Sequence, residues 1–259
     1  MGGVSVLEAM LGAARAAGEL ALGYYRGGFD VVIKADRTPV TQADREAEQL
    51  IVERLRRAFP DCGFLGEEFG DQGTKDRRFI IDPIDGTKNF VRGIPVWATL
   101  LALEEGGQVT AGVIYNPALG EMFWASHGGG AFRNGKRVSV SEIIRLGEAQ
   151  LIHSALRPLR EAGYWEGLAR LVDATERQRG FGDYMGYTLV AEGKAEIYAE
   201  IYAQGGGLKP WDLAPCKILV EEAGGVFTDL DGRSTIYTGS ALATNGHLHE
   251  AALGLLRAS

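Results

Sequence analysis

The sequence contains few of the residues that mark exported, zinc-binding or membrane-spanning proteins. It has two cysteines, Cys62 and Cys216, and eight prolines among its 259 residues. The cysteines are far apart and fit no zinc-ligand spacing, so they are typical of reduced thiols in a cytoplasmic protein. No uncharged apolar run reaches the length of about 18 residues that a membrane span needs. We therefore expect a cytoplasmic protein without a membrane segment.

Basic residues are also scarce relative to acidic ones. The chain has 27 Lys and Arg against 34 Asp and Glu, which gives a formal net charge of −7. No run of Lys or Arg forms a basic stripe, so nucleic-acid binding through phosphate neutralisation is disfavoured. An acidic site loaded with metal can still bind an anionic substrate, because the cations reverse the local field. Glycine, by contrast, is abundant, with 37 residues.

Apolar residues at helical spacing predict two amphipathic helices near the N-terminus, over 4–25 and 41–59. The first carries charged residues within its apolar stretch and has no basic start, so it does not resemble an export signal. The second opens with a capping-box pattern from Thr41 to Asp44 and closes at Pro60. This pattern places Asp44 in the first turn of a helix.

The remaining chain changes character near residue 145. The first half predicts strands at 63–66, 78–82, 97–105, 109–117 and 121–126, and a hairpin turn at Asn134-Gly135. The second half predicts strand 150–156, helices 158–172 and 183–192, strand 195–203, helix 211–224, strands 226–230 and 241–245, and helix 246–257. This alternation indicates layered α/β packing. We predict an α+β lobe over 1–145 and an α/β lobe over 146–259, joined in one compact unit.

Three acidic clusters lie next to predicted strand ends or helix starts. They are Glu67-Glu68, the run from Asp82 to Asp85, and Asp212 at the head of a helix. Taken singly, Asp-Pro-x-Asp is usually a turn, paired glutamates a solvated loop, and an aspartate before a helix an N-cap. These local alternatives do not explain why all three clusters adjoin apolar runs, which favours a common site.

The segment 79–90, FIIDPIDGTKNF, joins a strand end to a helix start. Its apolar run predicts a buried strand ending at Asp82, because Pro83 has no backbone N–H with which to continue the ladder. The following residues can open a helix, where the N–H groups of Gly86 and Thr87 point outward. Such a helix start is suited to a phosphate group.

The acidic clusters together offer the ligands that Mg²⁺ prefers, which are carboxylates, a carbonyl and water or substrate oxygens. The candidate protein ligands are Glu67, Asp82, Asp85, Asp212 and the carbonyl of Ile84. Two ions sharing Asp82 would lie about 3.5–4 Å apart, the spacing that holds the attacking and leaving oxygens in phosphoryl transfer. The sequence therefore predicts a Mg²⁺ site for phosphoryl chemistry, carried by the N-terminal lobe and completed by the C-terminal lobe.

The motifs GEE, IDPIDGTKNF and PWDLAPCKILVEEAGG closely resemble the three signatures of the inositol monophosphatase superfamily. Its members are Mg²⁺-dependent, lithium-sensitive phosphomonoesterases, and the resemblance covers nearly the whole chain. It implies a layered αβαβα sandwich, two or three Mg²⁺ ions per site, and hydrolysis without a covalent intermediate. It also implies a homodimer.

The resemblance implies a role for each matched metal ligand. Glu67 corresponds to a ligand that also orients the attacking water, and Asp82 to the ligand that bridges two ions. Ile84 contributes its carbonyl. Asp85 and Asp212 correspond to ligands of the second ion and to contacts with the substrate.

Other matched residues lie around the ligands. Thr87 corresponds to the residue whose hydroxyl activates water, and Asp44 to the aspartate that hydrogen-bonds this threonine. Gly86, with Thr87, corresponds to the phosphate-binding turn. Glu68 resembles a carboxylate that lies near the metals without binding them.

Several segments resemble the histidinol-phosphate phosphatase branch: KADRTPVTQADREAE, FLGEEFG, the pair Gly182-Asp183, and LKPWD. By this resemblance Asp183 faces the polar or cationic part of the substrate, and the local alternative is that it caps a helix. Relatives carry a substrate-contacting acid shortly before the aspartate that Asp212 matches, but here Gly205 occupies that position. Glu200 is the candidate replacement, and the alternative is that the contact is missing.

The leading interpretation is a Mg²⁺-dependent phosphomonoesterase that converts L-histidinol phosphate to L-histidinol in histidine synthesis. Inositol monophosphate is the alternative substrate, followed by a sugar bisphosphate or a nucleotide 3′-phosphate. An alternative from another class is a regulatory binding partner with incidental phosphatase activity.

Overall fold

The computed structural model describes residues 5–28, 31–33, 39–203 and 207–257. The helices are α1 (Val6–Gly27), α2 (Gln42–Ala58), α3 (Thr87–Val91), α4 (Leu156–Glu161), α5 (Trp165–Ala174), α6 (Asp183–Ala191), α7 (Pro210–Glu222) and α8 (His249–Arg257). The strands of the first half are β1 (Val31–Ile33), β2 (Pro39–Thr41), β3 (Gly63–Gly66), β4 (Gly70–Gln72), β5 (Arg77–Asp85), β6 (Ala98–Glu105), β7 (Gln108–Asn116), β8 (Glu121–Ser126), β9 (Gly130–Arg133) and β10 (Lys136–Val138). The strands of the second half are β11 (Gln150–His153), β12 (Arg177–Gly180), β13 (Ile197–Glu200), β14 (Val226–Thr228) and β15 (Ala241–Thr244).

These elements stack in five alternating layers. Helices α1 and α2 cover one face of an eight-stranded sheet of order β10-β9-β8-β7-β6-β5-β3-β4. Helices α6 and α7 lie between that sheet and a five-stranded sheet of order β12-β11-β13-β15-β14. Helices α5 and α8 cover the outer face of the second sheet. The architecture is therefore the predicted αβαβα sandwich.

The middle layer joins the two halves of the chain. The apolar core around α6 and α7 contains residues of the large sheet, such as Leu100 and Ile114, together with Tyr198 and Phe227 of the small one. Burial of apolar surface shared by both sheets stabilises their mutual arrangement.

The boundary between the two predicted lobes, near residue 145, stays a prediction. None of the described helices combines the length and the apolar character that crossing a membrane would require.

The start of α2 is as predicted. The backbone N–H and hydroxyl of Thr41 both donate to Asp44 Oδ2, each at 2.7 Å, and the N–H of Ala43 donates to the Thr41 hydroxyl at 3.1 Å.

The hairpin between β9 and β10 is also confirmed. Asn134 and Gly135 have φ of 47° and 81°, the left-handed pair that a tight two-residue turn requires.

Other boundaries differ from the predictions, for local reasons. The helix predicted over 158–172 is wrong, because two helices, α4 and α5, occupy this region and Gly163 between them has φ of 86°. Strands β4 and β12 were not predicted because they are short, polar edge strands without an apolar alternation. The strand predicted over 195–203 is shorter, and α8 begins later than predicted.

Candidate active site

The end of β5 carries two of the predicted ligands. Pairing with β6 is interrupted after Asp82, where Pro83 lies, but it resumes at Asp85, so the strand continues further than the sequence predicts. The N–H of Ile84 donates to Asp82 Oδ1 at 2.9 Å. The N–H of Tyr184 donates to Asp85 Oδ2 at 2.8 Å. This bulge brings both carboxylates to one end of the sheet, with 2% and 8% of Asp82 and Asp85 exposed.

Helix α7 supplies the third carboxylate. Asp212 lies in its first turn, and its Oδ2 accepts the N–H of Lys209 at 2.6 Å, so it also caps the helix. One carboxylate oxygen from each of Asp82, Asp85 and Asp212 lies within 4.8 Å of the others. Layer packing thus brings together three of the predicted ligands from both halves of the chain.

The electrostatics of this aspartate group fit a cation. Burial raises the pKa of Asp82, and the charges of Glu67, Asp85 and Asp212 raise it further. Burial also raises the pKa of Asp212 to about 7. Charged carboxylates that are buried together repel one another unless a cation or protons compensate them. A small hard ion such as Mg²⁺ suits this all-oxygen set.

Glu67 and Glu68 follow β3 and border the aspartate group. The N–H of Glu67 donates to the carbonyl of Ile81 at 3.2 Å, and its charge raises the pKa of both Asp82 and Asp212. The N–H of Glu68 donates to Oε2 of Glu48, on α2, at 2.9 Å. The structure therefore places Glu67 near Asp82 and Asp212.

Helix α3 begins where the sequence predicts, but its threonine has a different partner from the one expected. The hydroxyl of Thr87 donates to the carbonyl of Ile84 at 3.0 Å, whereas Asp44 bonds Thr41. Burial raises the pKa of Asp44 to about 6. Gly86 has φ of 80°, and a Cβ there would lie 2.9 Å from a backbone carbonyl oxygen, so only glycine fits this turn.

Asp183 opens α6 but does not cap it. Its φ is 57°, and no side-chain hydrogen bond caps the helix. Instead its Oδ2 accepts the side-chain amide of Asn89 at 3.0 Å. The alternative that Asp183 caps the helix is therefore wrong. Its carboxylate is instead hydrogen-bonded to Asn89 of α3.

Glu200 lies at the end of β13 with 2% of its surface exposed. Its Oε2 accepts the hydroxyl of Tyr187 at 2.9 Å. Burial and the charge of Asp183 raise its pKa to about 8, although the hydrogen bond from Tyr187 opposes this shift. A cavity of about 200 Å³ opens here, lined by Asp85, Lys88, Asp183, Glu200, Tyr202, Gly207, Leu208 and Asp212. Gly205 lies outside the described residues. The same is true of Lys34 and Arg37, which belong to the motif before α2.

Sequence reasoning missed several residues of this site. Lys88 and Tyr202 line the cavity, and Asn89 orients Asp183. Glu48 accepts the backbone N–H of Glu68, the residue after Glu67. The sequence pattern could have indicated this residue, because Glu48 follows Asp44 by one helical turn on a face of α2 that is otherwise apolar. An acidic residue on such a face indicates a buried contact.

Comparisons with known proteins agree with this geometry. A sequence model of the inositol monophosphatase family matches residues 4–259. The histidinol-phosphatase of Streptomyces coelicolor is 46% identical, with 87% of this chain and 86% of the relative covered. The histidinol-phosphatase of Mycobacterium tuberculosis is also 46% identical, with 90% of each chain covered. The crystal structure of the extragenic suppressor protein suhB from Bartonella henselae superposes with a TM-score of 0.89 at 35% identity, covering 98% of this chain and 99% of that one.

The five-layer fold, the buried acidic site and these relatives define a phosphomonoester hydrolase. The chain belongs to the inositol monophosphatase family, and the resemblance inferred from its motifs is confirmed.

Proposed function

We propose that this protein is a Mg²⁺-dependent phosphatase that hydrolyses L-histidinol phosphate to L-histidinol and inorganic phosphate. The supporting observation is the cavity beside the aspartate group, into which two further carboxylates, Asp183 and Glu200, are placed. Carboxylates suit the ammonium and imidazole groups of histidinol better than they suit a ring of hydroxyls. The names of the relatives with the greatest identity given above support the same substrate.

The proposed metal centre uses Asp82, Asp85 and Asp212, with Glu67 and the carbonyl of Ile84 completing the set. The three aspartates fit a hard cation because their oxygens converge. Burial and the charges of neighbouring carboxylates also raise the pKa of Asp82 and Asp85, and a bound cation would compensate those charges. When bound, Mg²⁺ ions, two or three per site, would make a water molecule more acidic and neutralise charge on the phosphate oxygens.

The chain's own groups would orient the reactants. Glu67 accepts a hydrogen bond from the attacking water, and the hydroxyl of Thr87 contacts the same water after leaving the carbonyl of Ile84. The N–H groups of Gly86 and Thr87 donate to phosphate oxygens. The water loses a proton as its oxygen bonds to phosphorus, the phosphorus–oxygen ester bond breaks, and the alcohol oxygen of the leaving group takes up a proton in its place.

Discrimination between substrates would come from two further carboxylates that line the cavity. Asp183, fixed by Asn89, and Glu200, fixed by Tyr187, would face the cationic group of the substrate. Inositol monophosphate remains the second candidate because the family signature is shared. We further propose that the enzyme is cytoplasmic, homodimeric and inhibited by lithium, on the family resemblance.

The test is the release of inorganic phosphate in the presence of Mg²⁺, with histidinol phosphate, inositol 1-phosphate, a sugar bisphosphate and a nucleotide 3′-phosphate at equal concentration. We expect a preference for histidinol phosphate, and we expect Asp183→Asn to raise KM for this substrate more than for inositol 1-phosphate. A preference for another ester in the wild-type protein would refute the substrate assignment. Equal effects of Asp183→Asn on both substrates would refute the role of Asp183.

The metal assignment has a separate test. Asp82→Asn removes a charge from the centre of the acidic group, so both turnover and Mg²⁺ binding should be lost. Full phosphatase activity in this variant would show that the ligand set is wrong. A protein that acts mainly as a binding partner would lose its incidental turnover in Asp82→Asn but keep its binding.

A further inference from the structure

Glu48 is a buried carboxylate to which the proposed reaction gives no direct role. It lies on α2, and only 1% of its surface is exposed. A carboxylate this deeply buried needs hydrogen-bond donors, because desolvation of the charged group is costly. Its Oε2 accepts the N–H of Glu68 at 2.9 Å, and its Oε1 accepts the N–H of Phe69 at 3.0 Å. Both oxygens are thus committed to the chain that follows Glu67.

The backbone around Glu67 is consequently held from two directions. Its own N–H donates to the carbonyl of Ile81 on β5, the residue before Asp82. The next two N–H groups along the chain donate to Glu48. Three consecutive backbone donors are therefore satisfied, one by the strand that carries Asp82 and two by α2. This arrangement defines where the side chain of Glu67 starts relative to Asp82.

Gly66 makes the contact sterically possible. A Cβ at this position would lie 1.8 Å from Glu48 Oε1 and 2.4 Å from its Cδ, far inside van der Waals contact. The absence of a side chain at Gly66 therefore leaves the space that the carboxylate fills. Glycine is needed here for the close approach of another group.

We infer that Glu48 is a positioning residue for the metal centre, which holds Glu67 in place by binding the two N–H groups that follow it. This inference rests on the proposed function, because it takes Glu67 as a ligand of Mg²⁺. Groups that orient a metal ligand commonly change metal affinity by about 10–100-fold when they are replaced. A glutamine cannot substitute fully, since it offers one oxygen acceptor and turns an NH₂ donor toward a backbone N–H.

The test is a calorimetric titration of Mg²⁺ into the full-length protein, compared with Glu48→Gln and Glu53→Gln. Glu53 is an exposed residue of the same helix whose carboxylate accepts the side-chain amide of Gln49 at 2.8 Å. We expect Mg²⁺ binding to weaken by about 10–100-fold in Glu48→Gln. It should stay within about twofold of the wild type in Glu53→Gln, as is usual for surface substitutions.

Gly66→Ala provides an independent route to the same displacement. The added methyl group pushes the Glu48 carboxylate away without removing any charge, so Mg²⁺ binding should weaken here as well. Unchanged Mg²⁺ affinity in a folded Glu48→Gln protein would overturn the inference. If neither variant folds, the contact serves the fold and the inference is overturned too.

The outcomes also separate this inference from the proposed function. A wild-type protein that binds no Mg²⁺ would refute the metal centre and the role of Glu48 together. A wild-type protein that binds Mg²⁺ but prefers another phosphate ester would refute the substrate alone. In that case the calorimetric comparison would still decide the role of Glu48.

Discussion

Replacing Glu200 with glutamine should stabilise the metal-free protein at high pH. The wild-type carboxylate is buried and lies near Asp183, whose charge disfavours its ionisation. Glutamine keeps an oxygen that can accept the hydroxyl of Tyr187, and it removes the titrating group. The change therefore exchanges a buried acid for a neutral group of the same shape.

The size of the effect follows from the pKa of Glu200, which burial raises from 4.5 to about 8. The folded-state pKa is higher than the unfolded-state pKa, so the folded protein binds the proton more tightly. The contribution of this proton to the free energy of unfolding is therefore complete below pH 4.5 and is lost as pH rises through about 8. From about pH 5 to about pH 8 the wild-type protein should lose roughly 3 kcal/mol through this group, at about 1.4 kcal/mol per pKa unit. That loss corresponds to a fall in Tm of roughly 6–12 °C for a chain of this size.

The assay is calorimetric unfolding of both proteins in a chelator, at several values from about pH 5 to about pH 8. The difference in Tm between Glu200→Gln and wild type should be small at the acidic end and grow with pH. Added Mg²⁺ should reduce this growth, because bound cations compensate the neighbouring charges. A difference that does not depend on pH, or a variant less stable than wild type at the alkaline end, would refute the argument.

Three further expectations concern stability and metal binding. Glu104→Ala removes the buried partner of Arg78, whose Nε lies 2.7 Å from Glu104 Oε2, and should cost about 3 kcal/mol in urea unfolding. The neighbouring exposed pair of Glu105 with Arg77 is the control, and Glu105→Ala should cost less than about 1 kcal/mol; equal costs would contradict the reasoning. Thr41→Ala should destabilise the protein by about 1 kcal/mol because α2 loses its cap, whereas Thr41→Ser should retain most of it, and no difference between them would argue against the cap. Asp212→Asn should abolish the rise in Tm that Mg²⁺ gives the wild-type protein, and a retained rise would exclude Asp212 as a ligand.

Much of the candidate site could be predicted because its chemistry is local in sequence. The segment 79–90 contains the strand end, the glycine of the turn and the start of α3 within a few residues, so residue type and spacing indicate the arrangement. The capping box of α2 is likewise a pattern of neighbours, and it is confirmed. Element ends were less predictable, as the division between α4 and α5 at Gly163 shows, since one left-handed glycine interrupts an otherwise helical pattern.

The partners of individual side chains depend on contacts between distant segments. Asn89 and Asp183 are 94 residues apart, and Glu48 and Glu68 are 20 apart. No local pattern specifies either bond.

The sequence by itself determined the layered fold class and the arrangement of the segment 79–90, because helix and strand periodicity and the turn after β5 are carried by neighbouring residues. That Asp212 joins Asp82 and Asp85 depends on the packing of the layers. Only the tertiary structure decided that Thr87 bonds the carbonyl of Ile84, that Asp183 faces Asn89, and that Glu48 holds the chain after Glu67. The physical reason is that buried donors and acceptors must find partners wherever packing of the layers brings them, and that packing depends on the whole chain.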